Sequence, residues 1–393
     1  MNPVARPLAA TLALQSLTSM AMIAPSVMAP VVALELGLPP ERLGWFVAIE
    51  YFVAMLSGLA CGGLITRHGA MRVCQISVCL AAAGLAAATA GAVPMLFASA
   101  ALIGAGYGLV NPVSSHILIK STPARMRSLI FSIKQTGVPL GGALAGVLCP
   151  PLILLVGWRF GLAAAALPCL LVVLAFQSLR SGEAAEPAAS GAGEARRFWA
   201  PIGYVLTHRP VLEMALASLF FGFAQLALVA YFVSYLKLEL GYTLVAAGLI
   251  YACAHLAGVA GRIVWGAIAD RFVSPRRTLG LLGVTMGISC IVAAAINTQW
   301  PLAAVVALSI VFGATAVGWN GIYLAEVARL APTGQAGIVT GGTQFFTFLG
   351  AWSAPPLFGL VVAYAGGYAN GFLTASVLPL IAGVYLLVRP RQV

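Results

Sequence analysis

Four ionisable residues, Glu50, Lys134, His255 and Arg262, sit inside long apolar runs of this chain. Charge is costly in such surroundings, which makes each a candidate for function. Lys134 lies seven residues beyond Arg127 and is followed by Gln135. Its ammonium calls for an anionic partner, either a carboxylate on a bound small molecule or a protein acid. Glu50, beside Tyr51, is placed to pair with Lys134 or to carry a proton. The imidazole of His255 exchanges protons near neutral pH, although a lone histidine also serves as a hydrogen-bonded structural group. Arg262 precedes Asp270 by eight residues, and the expected partners of its guanidinium are Glu326 or Asp270. Polar and aromatic side chains recur in comparable runs: Gln15, Asn111, Gln225, Trp319, Asn320, Tyr323, Gln344 and Thr347. Amides both donate and accept, which suits a polar ligand; they also join helices.

These groups stand out because charge is scarce. Of 393 residues 61% are hydrophobic and 8% charged, and the mean hydropathy is +1.00. Soluble domains carry roughly a quarter charged residues, so an ordinary cytosolic enzyme, a disordered chain and a secreted disulfide scaffold are excluded. The seven cysteines lack metal-ligand spacing and lie in apolar runs, where they read as small buried packing residues. No metal and no cofactor is called for. The net charge of +11 does not point to nucleic acid, because the basic residues are scattered in short runs between apolar stretches.

Apolar runs fall at about 8–34, 43–65, 73–92, 94–118, 128–155 and 158–178, then at 211–236, 244–268, 278–297, 301–325, 335–364 and 370–388. That is twelve spans of the length a bilayer requires. The first is too long for a cleavable leader and reads as a retained transmembrane helix. Sixteen Lys and Arg residues fall in the loops on one side, against Arg42, Arg159 and Lys237 on the other. The bias places both termini in the cytoplasm of a cell whose inner membrane holds the chain. The polar stretch 180–209 reads as a flexible cytoplasmic linker between an N-terminal bundle, 1–179, and a C-terminal bundle, 210–393.

The two bundles repeat each other faintly. Gly62-Gly-Leu-Ile-Thr-Arg-His-Gly69 follows the second span, and Gly266-Ala-Ile-Ala-Asp-Arg-Phe272 follows the eighth at an offset of 204 residues. Pro150-Pro151 and Pro355-Pro356 are related by 205. Six-helix repeats of this kind are a transporter architecture. On these residues the chain resembles the major facilitator superfamily over essentially its whole length. That family carries a Gly-x-Leu-Ala-Asp-Arg-x-Gly-Arg-Arg loop after the second span and a weaker copy after the eighth. Here the second copy matches better, with Gly266, Asp270, Arg271, Arg276 and Arg277. The first keeps Gly62, Leu64, Arg67, Gly69 and Arg72 but has Thr66 in place of the acid. The resemblance implies a conformational latch at Arg67, Arg72, Asp270 and Arg271, and the placement of Arg262 adds it to that latch with Glu326 or Asp270 as its partner.

The fifth span, Lys134-Gln-Thr-Gly-Val-Pro-Leu-Gly-Gly-Ala-Leu-Ala-Gly146, is similar to the Gly-Pro-Gly-Gly element of the family's antiporters, interrupted by Val138. The family's fourth-span arginine would fall at Ala100. Both departures count against a proton-coupled drug antiporter. Spans one, four, seven and ten line the cavity in this family, which implies solute contact for Asn111, Gln225, Trp319, Asn320 and Tyr323, with Gln344, Lys134 and Gln135. Glu50 and His255 are the candidate proton sites.

There is no Walker loop, no HExxH and no nucleophile elbow, so an enzyme is not expected. The expectation is an all-α membrane protein with twelve helices in two pseudo-symmetric six-helix bundles. It would act as a monomer in the bilayer, taking up a small polar or anionic organic solute by alternating access with protons. The alternative is an efflux pump for amphipathic drugs or metabolites.

Overall fold

The computed structural model describes residues 4–123, 126–177, 194–332 and 336–389. The described residues are helices and short connections with no strand. The first helices are α1 (Ala5–Glu35), α2 (Leu43–His68), α3 (Ala70–Ala88), α4 (Val93–Ser121), α5 (Arg127–Gln135) and α6 (Gly137–Ala175). Next come α7 (Glu194–Thr207), α8 (Arg209–Leu226), α9 (Phe232–Leu238), α10 (Leu244–Arg271) and α11 (Pro275–Ala294). The last are α12 (Leu302–Ala316), α13 (Asn320–Leu330), α14 (Ala336–Ala365) and α15 (Tyr368–Val388).

Eleven helical stretches are long and apolar enough to cross a membrane, and the longest, Ile130–Ala175, has 46 residues. At about 1.5 Å per residue a straight helix of that length would be more than twice a bilayer core. It reverses instead at Gly157, whose φ of 76° only glycine adopts freely. The reversal brings Gly161 back beside Leu152 and Ile153. Segments 137–156 and 158–175 are therefore separate passes, which agrees with the twelve spans read from the sequence. Large apolar side chains such as Leu155, Phe160, Leu174 and Val388 face outward, as a hydrocarbon solvent permits. This is a multi-pass membrane protein.

The chain groups into two compact units. The first comprises Met1–Pro40, Ile49–Gly191 and Leu244–Ala252; the second comprises Glu41–Ala48, Ala192–Thr243 and Cys253–Val393. Within the first, α1 packs on α6, α4 and α3; within the second, α8 takes the corresponding place against α14 and α15. Small residues set the approach distances. Gly137 and Gly141, one turn apart on α6, lie against Gln15 and Ser16 of α1, so the four-residue spacing read from the sequence is a helix contact. In the first unit Gly248 meets the backbone of Gly146 and the ring of Pro150; in the second Gly44 meets the carbonyl of Pro355. Gly44 and Gly248 share the 204-residue offset of the repeat.

Two expectations change. Of the segment read as a flexible linker, residues 180–193 lie outside the described residues, but Glu194–Thr207 is helix α7. Its Val205 is fully buried, and Pro201 and Val205 pack on Gly342 of α14, so burial of an apolar face stabilises what composition alone left unstructured. Among the cysteines Cys79 is exposed and Cys253 half-buried rather than buried. A lipid-facing thiol needs no polar partner and is tolerated there.

Candidate functional site

Three of the spans that carry the polar residues, five, seven and ten, are broken near those residues. Span five stops at Gln135 and restarts at Gly137. Pro139 has no N–H for the carbonyl of Gln135, and the Thr136 N–H turns back to Ile133 O at 3.0 Å. Span seven carries a π-turn, Ala227–Tyr231, beginning two residues after Gln225. Span ten is interrupted by the turn 317–319 between α12 and α13. Irregular backbone at membrane depth survives only where protein buries it or a polar cavity meets it, and broken helices mark solute sites in transporters.

In the first unit Lys134 is fully buried. Its ammonium donates to the backbone carbonyl of Asn111 at 3.1 Å, to the side-chain oxygen of Asn111, and to Ser115 Oγ at 3.3 Å. Two residues expected to contact solute are thus brought together from α5 and α4. Gln135 is half-buried beside them. Gln15 is 1% exposed, its side-chain oxygen has no hydrogen-bond partner, and its Cγ lies against Gly137 at the same break.

Glu50 is 1% exposed, and its Oε1 has no hydrogen-bond partner. It does not pair with Lys134, one of the two roles the sequence left open. The reason is register along α4: Gly104 packs on the backbone of Glu50, whereas Asn111 holds Lys134. Seven helical residues separate those levels by about 10 Å. Tyr51 beside it packs edge-on to Tyr107 at 6.1 Å.

In the second unit the indole N–H of Trp319 donates to Gln225 Oε1 at 3.1 Å. Phe221 and Tyr323 flank that indole, with ring centres 5.4 and 5.2 Å away. The Tyr323 hydroxyl lies among those of Ser218, Thr343 and Thr347, where Thr347 donates to Ser218 at 2.9 Å. Asn320 is half-buried as the first residue of α13, and Gln344 is half-buried on α14 without joining this cluster. His255 is buried on α10, one residue after Ala254, whose backbone meets Gly313 of α12.

A family model for the Major Facilitator Superfamily matches residues 11–355. The chain belongs to this superfamily. It is 28% identical over 386 residues to the 4-hydroxybenzoate transporter PcaK of Pseudomonas aeruginosa, a match covering 89% of this chain and 84% of that protein. It is 23% identical over 306 residues to the hexuronate transporter of Bacillus subtilis, covering 74% and 72%. The crystal structure of a D-xylose–proton symporter has the same fold, with a TM-score of 0.76 at 18% identity over 97% of this chain and 96% of that one.

The superfamily's loop residues are arranged differently from expectation. Arg67, Arg72, Asp270 and Arg271 are all exposed at helix ends, and the Asp270 carboxylate makes no ion pair among the described residues. Glu326 is held by Arg329 at 2.5 Å, and the Arg262 Nε donates to the carbonyl of Val317 at 3.1 Å. Neither acid expected for Arg262 is therefore its hydrogen-bond partner: Glu326 is taken by a nearer arginine on its own helix, and Asp270 lies more than two turns away. The ion-pair hub of the second unit is Glu213, which the sequence reading passed over. It receives Arg276 at 2.7 Å and the Tyr385 hydroxyl at 2.9 Å, with Arg209 at 3.6 Å and Arg389 at 4.0 Å. The Arg209-to-Glu213 spacing of four at the start of span seven was the signal available for it.

Proposed function

We propose that this superfamily member is a secondary transporter that takes up a small organic acid together with protons, with both termini in the cytoplasm. The observation that carries this reading is Lys134, a fully buried ammonium held by an amide and a hydroxyl at the break of span five. Amide and hydroxyl oxygens accept from its donors, and a buried ammonium suits a carboxylate cargo. Relatives named for 4-hydroxybenzoate and hexuronate transport support an organic-acid solute. Glu50, buried with one oxygen unpartnered, is the proposed proton carrier, and His255 is the second candidate.

Proteoliposomes containing the purified protein test this directly. Uptake of radiolabelled 4-hydroxybenzoate or a hexuronate, accelerated by an inward proton gradient and collapsed by a protonophore, is the expected result. Uptake that ignores the gradient removes the proton from the scheme, and extrusion of amphipathic dyes instead of acid uptake supports the efflux alternative.

A further inference from the structure

The carboxyl end of α12 is held by two side chains of α10. Trp265 Nε1 donates to Ala314 O at 2.7 Å, and Arg262 Nε donates to Val317 O at 3.1 Å. In an unbroken helix these carbonyls would accept from the N–H groups of Gly318 and Gly321. Residues 317–319 form a turn instead, so the break releases acceptors that α10 supplies with donors. The match is one of register: the donors are three residues apart on one face of α10, and the acceptors are three apart on span ten.

Arg262 also brings positive charge to the carboxyl end of α12, where the helix dipole favours it. Close approach is possible because glycine occupies the contact. A Cβ on Gly261 would run into the carbonyl of Ala314, one on Gly258 into Val317, and one on Gly313 into the backbone of Ala254. Immediately beyond the turn stand Trp319, bonded to Gln225, and Asn320, which opens α13.

We propose that Arg262 and Trp265 are positioning residues for the solute site: by taking over the carbonyls released at the break in span ten, they set the direction in which Trp319 and Asn320 are presented. A buried carbonyl inside a span is too costly to leave open. Losing a donor therefore makes the turn rewind toward continuous helix or admit water, and either turns Trp319 about the helix axis. The solute part of this inference rests on the reading given above; the hold on the break does not.

Trp265→Phe removes the N–H and keeps most of the ring, while Arg262→Lys keeps charge and a donor that Arg262→Met lacks. Amide hydrogen exchange on the purified full-length variants is expected to change on the order of fivefold within residues 314–322 for Trp265→Phe and Arg262→Met. Other spans should stay within about twofold, and Arg262→Lys should restore most of the wild-type protection. Uptake of 4-hydroxybenzoate, the probe used, should show KM raised about five- to tenfold with the maximal rate nearly unchanged. Unchanged exchange in 314–322, or an even loss of protection across all spans, overturns the proposal. Should wild-type protein take up neither 4-hydroxybenzoate nor a hexuronate, the solute reading fails, and the exchange comparison decides the role of Arg262 and Trp265 by itself.

Discussion

Lys134 on α5 donates to Asn111 on α4, reaching both its backbone carbonyl, at 3.1 Å, and its side-chain oxygen. A neutral amide thus faces the buried ammonium. Lys134→Met should lower the apparent affinity for an organic-acid solute about ten- to hundredfold, the equivalent of a lost charge-assisted hydrogen bond. Initial-rate uptake in proteoliposomes measures it, and wild-type affinity in this variant would end the anion-binding role.

Asn111→Asp is the complementary change. It puts a carboxylate where the amide oxygen meets Lys134, so the protein supplies the anion and cargo must compete with it. Expected is loss of acid uptake with thermal stability equal to or above wild type, read by a melting assay alongside transport. Retained uptake would mean that cargo does not use this ammonium.

Glu50→Gln preserves shape while removing the exchangeable proton from a side chain with an unpartnered buried oxygen. Accumulation driven by a proton gradient should be abolished, and exchange of labelled for unlabelled solute across the membrane should continue. A variant that still concentrates solute against its gradient would transfer the proton role to His255 or elsewhere.

Gly104→Ala tests the packing that sets the level of Glu50. A Cβ at this position runs into the carbonyl of Glu50, and backbone cannot yield as a flexible side chain does. Destabilisation of about 1–3 kcal/mol is expected, visible as a lower melting temperature. By contrast Gly62→Ala, where nothing lies within 4 Å, should be nearly silent.

Glu213→Gln removes the charge that gathers Arg276 and its neighbours, and the pair is mostly shielded, at 15% and 13% side-chain exposure. The cost should be about 1–3 kcal/mol. Combining it with Arg276→Met should cost less than the sum of the two single changes, because both remove the same interaction. Strict additivity in melting measurements would show that the two do not act as a unit.

The spans were legible because a bilayer demands some twenty apolar residues per pass, and composition left few alternatives. The repeat was legible in Pro150-Pro151 and Pro355-Pro356; in the folded units Pro150 meets Gly248 and Pro355 meets Gly44, a glycine pair the sequence reading did not single out. Partners were not legible. Arg262 was expected to seek Glu326 or Asp270, since charge matching is all that spacing reveals. It bonds a carbonyl instead, because span ten breaks at 317–319 and frees an acceptor that exists only in three dimensions. The helix α7 within an expected linker, and Glu213 as the hub for Arg276, were hidden for the same reason.

Sequence by itself therefore determined which stretches are long and apolar enough to cross a membrane and which few residues within them carry charge, since hydropathy is local and additive along the chain. Only the tertiary structure decided which charges meet, with Lys134 on Asn111 rather than Glu50 and Arg262 on the end of α12. Hydrogen-bond partners depend on helix register and on where proline and glycine interrupt the backbone, and both are settled between helices rather than within them.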